Sequence, residues 1–144
     1  MRTLKTPLLL ALLLIASCSK KIPSLQVPDA VQASFNSRYG AVTDTKWELA
    51  STGFIAVFAA GQHPTKAYFD SAGNWDKTET ELKSSELPLV IMKTVTNAFA
   101  GNKIKKALQV ERSSGESTYI LSLKMRNQIQ DIEFSATGVI LNEK

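Results

Sequence analysis

Two apolar stripes set 60 positions apart constrain this chain more than anything else in it. Val27, Val31, Phe35 and Tyr39 recur every four residues, with Pro28 just after the first and Gly40 just after the last. Leu87, Ile91, Val95 and Phe99 repeat the spacing, with Pro88 in the matching place and Gly101 one position later. A recurrence of four puts side chains on one face of an α-helix. Proline suits a first helical turn, where its missing N–H would have no partner, and glycine suits the exit. The spacing therefore predicts helices from Pro28 to Tyr39 and from Pro88 to Phe99. A second correspondence sets Phe69, Gly73 and Trp75 against Phe134, Gly138 and Ile140, at an offset of 65. Loop insertions produce a drift of that size, so one helix-then-hairpins unit is expected twice.

After the first helix, four short strands are expected: around Trp47-Glu-Leu-Ala, from Gly53 to Ala60, from Thr65 to Asp70, and from Trp75 to Leu82. The second of these is apolar on both faces, with Phe54, Ala56 and Phe58 one way and Ile55, Val57 and Ala59 the other, which marks an interior strand. The fourth places Trp75, Lys77, Glu79 and Glu81 on one face and Asp76, Thr78, Thr80 and Leu82 on the other. Neither face is richly apolar, so it reads as a charged edge strand anchored by Trp75.

The second half offers Lys103 to Glu111, with Val110-Glu111 standing for Trp47-Glu48. Next comes Thr118 to Met125, with Tyr119, Leu121 and Leu123 on one face. A strand from Asn127 and a Thr137-Gly138 turn into Val139-Ile-Leu follow. The expected fold is α+β: two tandem helix-plus-four-strand antiparallel units sharing one curved sheet of about eight strands, with both helices on one face. The units span about 27–82 and 87–142, within a single domain over 27–144.

The first 17 residues read as an address. Arg2 and Lys5 form a positive n-region, Leu8 to Ile15 an apolar run too short to anchor as a span, and Ile15-Ala-Ser-Cys18 a processing site. That last tetrad resembles the bacterial lipobox, which implies lipidation of Cys18; an ordinary secretory signal with an incidental cysteine is the other reading. Cys18 is the single cysteine, so no disulfide can form within the chain. Residues 18–26 are a short tether whose Lys20 and Lys21 either meet anionic headgroups or are simply solvated. Ser19 resembles the residue that sends lipoproteins of other Gram-negative bacteria to the outer membrane, and the lack of an acidic run after Cys18 argues against surface display. The expected place is the periplasmic side of that membrane. Taking Arg2 and Lys5 from 17 basic side chains leaves 15 against 13 acidic ones, a net +2. Lysines and glutamates alternate with no aromatic-laced basic stripe, so no nucleic-acid partner is expected.

No catalytic set assembles. His63 is the only histidine, in a Gly-Gln-His-Pro loop, and Cys18 is consumed by the lipid. No serine stands in a nucleophile elbow and no glycine-rich loop precedes a helix to hold phosphate. Glu79 and Glu81 are the best carboxylate pair, though Lys77 and Lys83 flank them. Asp70, Asn74 and Asp76 around Gly73 lack the full ligand pattern of a calcium loop and read as turn residues. No cofactor, no metal and no enzymatic activity are expected. The aromatics Trp47, Phe54, Tyr68 and Trp75 cannot all lie under two short helices. Either most of them are core, or a sheet face free of helices carries some of them toward a partner.

The residues Val27-Pro28-x-x-Val31-x-x-x-Phe35-x-x-x-Tyr39, Trp47-Glu48, Gly53-Phe54-x-Ala56-x-Phe58, Tyr68-Phe69-Asp70-x-x-Gly73-x-Trp75-x-x-Thr78-Glu79 and Leu87-Pro88-x-x-Ile91 together resemble the PepSY-like periplasmic proteins of Bacteroidetes, also described as β-lactamase-inhibitor-like. Ser135 departs from the Phe-Asp pattern, and Ile140 stands where a tryptophan would. The resemblance implies tandem helix-plus-sheet units, like those of the inhibitor whose concave sheet grips another protein, and carries no catalytic residue. The expected function is a non-enzymatic envelope lipoprotein, held to the membrane by its lipid. It would bind an envelope protein through its sheet face, with Trp47, Phe54, Tyr68, Trp75, Glu79 and Glu81 as contacts. The alternative is a small-ligand or cation sensor using the concave face and Glu79/Glu81.

Overall fold

The computed structural model describes residues 20–143; the leader and Cys18, with the roles expected of them, lie outside the described residues. The chain runs β1 (Lys20–Ile22), a 3-10 turn (Ser24–Gln26), α1 (Asp29–Tyr39), β2 (Lys46–Ala50), β3 (Gly53–Ala60), β4 (His63–Phe69) and β5 (Trp75–Glu81). A second 3-10 turn (Ser84–Glu86), α2 (Leu89–Ala98), β6 (Lys103–Arg112), β7 (Ser117–Met125), β8 (Gln128–Ser135) and β9 (Ile140–Glu143) complete it. The two 3-10 turns also stand 60 residues apart. Both prolines sit one place earlier than expected, as N-caps with extended ψ of 142° and 138°, and their carbonyls accept the first helical bonds from Val31 and Ile91. Asp29 in the first turn of α1 and Arg38 in its last complement the helix dipole.

All nine strands form one antiparallel sheet whose order is the sequence order. The count exceeds the expected eight because Lys20–Ile22, read from sequence as tether, pairs with β2. Register shows that both helices cover the same face. Ala67 lies under α1 and Thr65 stands two residues before it; Thr65 opposes Thr80, Thr80 opposes Gln109, and Gln109 is two residues from Ala107 under α2. Residues directly opposed in a sheet share a face, and so do alternate residues along a strand.

β5 is therefore a central strand, bonded to β4 and β6, and not the edge its charges suggested. Its polarity has a different cause. On the helix face it runs along the seam between the two cores. There Thr78, 4% exposed, takes hydrogen bonds with the Tyr39 hydroxyl and from Trp75 Nε1 at 2.9 Å. A threonine with two side-chain partners can be buried at little cost where an unpartnered one could not.

Under α1, Phe35 packs edge-on against Trp47 and Phe58, with ring centroids 5.4 and 5.1 Å away, over Ala56 and Ala67. Under α2, Ile91 and Val95 meet Leu121, Leu123, Ile132 and Phe134. Each helix is further pinned by a hairpin glycine at positive φ. A Cβ on Gly73 would stand 2.6 Å from the Ala30 carbonyl oxygen, and one on Gly138 3.0 Å from that of Val90. Ala30 and Val90 are again 60 residues apart, so each β-turn approaches its helix at the corresponding point.

Candidate functional site

The face without helices is where the structure places most of the charge pairs of the sheet. Strand alternation and register assign to it Glu48, Ile55, Lys66, Tyr68, Lys77, Glu79, Glu81, Val110, Arg112, Thr118 and Glu133. In the first half, Tyr68 opposes Lys77, and Glu79 binds both. Its Oε1 meets Lys77 Nζ at 2.6 Å, and its Oε2 accepts from the Tyr68 hydroxyl at 2.9 Å. The Lys77 ammonium also lies 4.4 Å from the Tyr68 ring centre. Burial, then the Glu79 charge and hydrogen bond, push the Tyr68 phenol well above its ordinary value. Lys66 pairs with Glu48 at 3.6 Å. With these side chains partly in water, each ion pair contributes under about 1 kcal/mol. What they fix is orientation.

The second half carries a matching cluster that sequence reading missed. Arg112 donates to Thr118 Oγ1 at 3.1 Å and to Glu133 Oε1 at 3.0 Å, and the Thr118 hydroxyl donates to the same Glu133 oxygen at 2.8 Å. Thr118 and its neighbour across the strand, Val110, are each 1% exposed although they lie on the face opposite α1 and α2. No local signal marked these residues, because three strands must pair in register before Arg112 and Glu133 meet.

A single irregularity separates Trp75 from the other expected contact residues of β5. Tyr68 opposes Lys77 but Phe69 opposes Trp75, so Asp76 is an extra residue, a β-bulge. The bulge turns Trp75 away from Lys77, Glu79 and Glu81 and onto the helix face, where the Arg38 guanidinium stacks 3.3 Å above its ring centre. Trp47, expected as an anchor, is 6% exposed beneath α1 and belongs to the core. Phe54 lies half-buried at the margin of the same core. Even so, Phe54, Tyr68 and Trp75 line one cleft of about 400 Å³ at the end of the sheet, with Asp70, Asn74 and Asp76 on its rim. Tyr68 belongs to both the cleft and the helix-free face and joins them. The Asp70 carboxylate is spent on its turn: Asn74 Nδ2 and the backbone N–H groups of Ala72 and Asn74 all donate to it. The Asn74 side-chain bond leads in holding its carboxyl below the usual range.

Glu81 and Glu79 both line a depression of about 80 Å³, together with Lys66, Lys106 and Leu108. His63 Nδ1 faces the Glu81 carbonyl at 3.0 Å and its Nε2 faces Glu86 at 3.5 Å, so it ties a hairpin to the approach of α2. Among the described residues, no group of three or more His, Cys, Asp or Glu side chains is placed to hold a metal ion.

The family described as "Putative beta-lactamase-inhibitor-like, PepSY-like" matches residues 14–50 and 52–142. The chain belongs to that family. Among solved structures, the PepSY-like fold recurs in a BLIP-like protein from Bacteroides fragilis, 24% identical, TM-score 0.74, covering 81% of this chain and 84% of that one. It recurs also in a DUF2874 family protein from Bacteroides uniformis, 21% identical, TM-score 0.77, covering 81% and 88%. A third is described among the "putative periplasmic proteins" of Bacteroides eggerthii, 17% identical, TM-score 0.77, covering 82% and 88%. At these identities the likeness is one of fold. No curated protein matches the chain.

Proposed function

We propose that this PepSY-like protein is a non-enzymatic binding module of the cell envelope, gripping another protein through the helix-free sheet face. The observation that carries the reading is the pre-ordered Tyr68–Glu79–Lys77 cluster beside the cleft that Phe54 and Trp75 complete. A half-buried aromatic held by a fixed charge pair loses little freedom on binding, which is what contact residues at an interface need. Family membership and the description of one fold relative as periplasmic support the placement, and the leader with Cys18 supports a lipid anchor at the outer membrane. We further read the two halves as one helix-plus-four-strand unit made twice, on the strength of the matching turns, caps and glycine contacts. Trp47 has no part in the interface.

The alternative, a cation or small ligand at Glu79 and Glu81, has less support. Both Glu79 oxygens already have partners, and Lys66 and Lys106 line the depression that Glu79 shares with Glu81.

In-cell photocrosslinking separates these readings. A crosslinker in place of Lys66 or Lys77 is expected to give a discrete adduct to one protein, and one in place of the exposed Ser37 of α1 to give none. Adducts from the helix alone, or a calorimetric response to calcium with no adduct from the sheet, would overturn the proposal.

A further inference from the structure

The end of the sheet opposite the cleft has a chemistry of its own. In a meander the turns alternate between two ends, so the cleft, the β2–β3 turn and the β6–β7 turn share one, and the β7–β8 turn and the start of β6 share the other. At that second end Lys103 opposes Lys124, Lys124 opposes Ile129, and Lys106 opposes Ser122. All of these lie on the helix-free face, because Lys124 neighbours the buried Leu123 of the helix face. Lys105 is the extra residue of a bulge between Ile104 and Lys106, and Arg126 caps the β7–β8 turn. These five cations are all exposed, and Ile129 among them is 65% exposed.

The ion pairs among the described residues engage His63, Lys66, Lys77 and Arg112, and none of the five. Three carboxylates come near. Glu79 and Glu81 share a small depression with Lys106, and Asp131 accepts a hydrogen bond from Ser122 at 2.6 Å. Lys103, Lys105, Lys124 and Arg126 have no ion-pair partner among the described residues.

Arg126 is the more telling member. It sits at φ 51° in a two-residue turn, a left-handed conformation that glycine or asparagine adopts without penalty and arginine does not. At the corresponding β3–β4 turn, 65 residues earlier, Gly61 holds φ 63°. By register the counterparts of Lys103, Lys106, Lys124 and Ile129 are Asp44, Lys46, Ala59 and Pro64, one acid and one base, and the bulged Lys105 has none. One backbone frame therefore carries a near-neutral end in its first half and a cationic end with an arginine held against its preference in its second. Such local strain, where a residue without it was available, points to use.

We infer that Lys103, Lys106, Lys124 and Arg126, arranged around Ile129, form a docking surface for an acidic segment of another protein. The partner supplies carboxylates to the cations and one apolar side chain to Ile129. An anionic membrane fits less well. The chain enters the sheet at Lys20, opposite Leu49 and so at the cleft end, two residues after Cys18. A lipid on Cys18 holds the cleft end toward the bilayer. β6 spans 10 residues; at about 3.3 Å each, the cationic end points away from it by roughly 30 Å. This surface does not depend on the cleft or on Tyr68.

The test is fluorescence anisotropy of a labelled peptide of alternating glutamate and leucine against the purified protein. Saturable binding is expected, weakening as salt is raised, as charge pairing at a solvent-exposed surface requires. The K103E/K106E/K124E variant is expected to bind at least about tenfold more weakly. Arg126→Gly is expected to bind severalfold more weakly while melting no earlier than wild type, which separates lost contact from lost fold. Trp75→Ala, which challenges the cleft, should leave this binding unchanged. Absence of peptide binding by wild type, equal binding by K103E/K106E/K124E, or displacement of the peptide by phosphatidylglycerol vesicles would each overturn the inference.

Discussion

The two cores solve the same packing problem in opposite ways. Beneath α1 the large residues are rings: Phe35 touches Tyr39, Trp47, Phe58 and Phe69, at centroid distances from 5.1 to 6.4 Å, and the strands between contribute Ala56 and Ala67. Beneath α2 the corresponding positions hold Val95 for Phe35, Leu123 for Phe58, Leu121 for Ala56 and Ile132 for Ala67, with one aromatic pair, Phe99 and Phe134. Large beside small has become medium beside medium. Interiors constrain total volume more tightly than the identity of any one side chain, so a helix on this sheet accepts either solution. The aromatic solution adds directionality, because edge-to-face pairs contribute about 0.5–1.5 kcal/mol each beyond their buried area. It concentrates that gain on one residue.

The comparison breaks first at that residue. Phe35→Ala removes the hub of four ring contacts and is expected to cost about 3–5 kcal/mol, against roughly 1.5–3 kcal/mol for Val95→Ala, measured by urea unfolding. Equal losses would mean that the aromatic cluster is no more than its area. The hairpin glycines give a smaller contrast. Gly73→Ala adds a left-handed alanine and a clash with the Ala30 carbonyl, for roughly 2–4 kcal/mol. Gly138→Ala, with the looser contact, should cost roughly 1–2 kcal/mol.

The smallest effect tests the helix-free face. Tyr68 holds its proton more tightly in the fold than in the unfolded chain, whose phenol titrates near 10.0. Its contribution is therefore complete below that pH and is lost as pH rises through the raised folded value. Tyr68→Phe loses the bond to Glu79, about 1 kcal/mol at neutral pH, and its deficit relative to wild type should shrink above pH 10.0. A deficit that grew with pH would reverse the assignment.

The helices were legible because a four-residue stripe bounded by proline and glycine depends only on local chemistry, and all eight stripe residues pack as expected. The faces of β3 and β7 were legible from local alternation in the same way. What failed depended on pairing. β5 carries the polarity of an edge strand because it fills a seam, and only the positions of both helices reveal a seam. Trp75 was misplaced because one bulged residue, Asp76, reverses strand parity, and nothing local distinguishes that aspartate from a paired one. Trp47 was matched to Val110, whereas register aligns it with Ala107: Trp47 opposes Ala56, and Ala107 opposes Leu121. The helices' offset of 60 leads from Trp47 to Ala107, and the likeness of Val110-Glu111 to Trp47-Glu48 drew the match three residues too far. Of the six contact residues, only Tyr68, Glu79 and Glu81 share the helix-free face.

A sheet whose strands lie side by side in the order they are written never waits for a distant segment. Every ladder closes between neighbours, across a short turn or a single helix, which keeps closure entropy low and assembly quick for so much β-structure. A polypeptide released from one end can lay each strand on the last, so that the sheet extends at one margin only while the outer edge of β1 stays as it began.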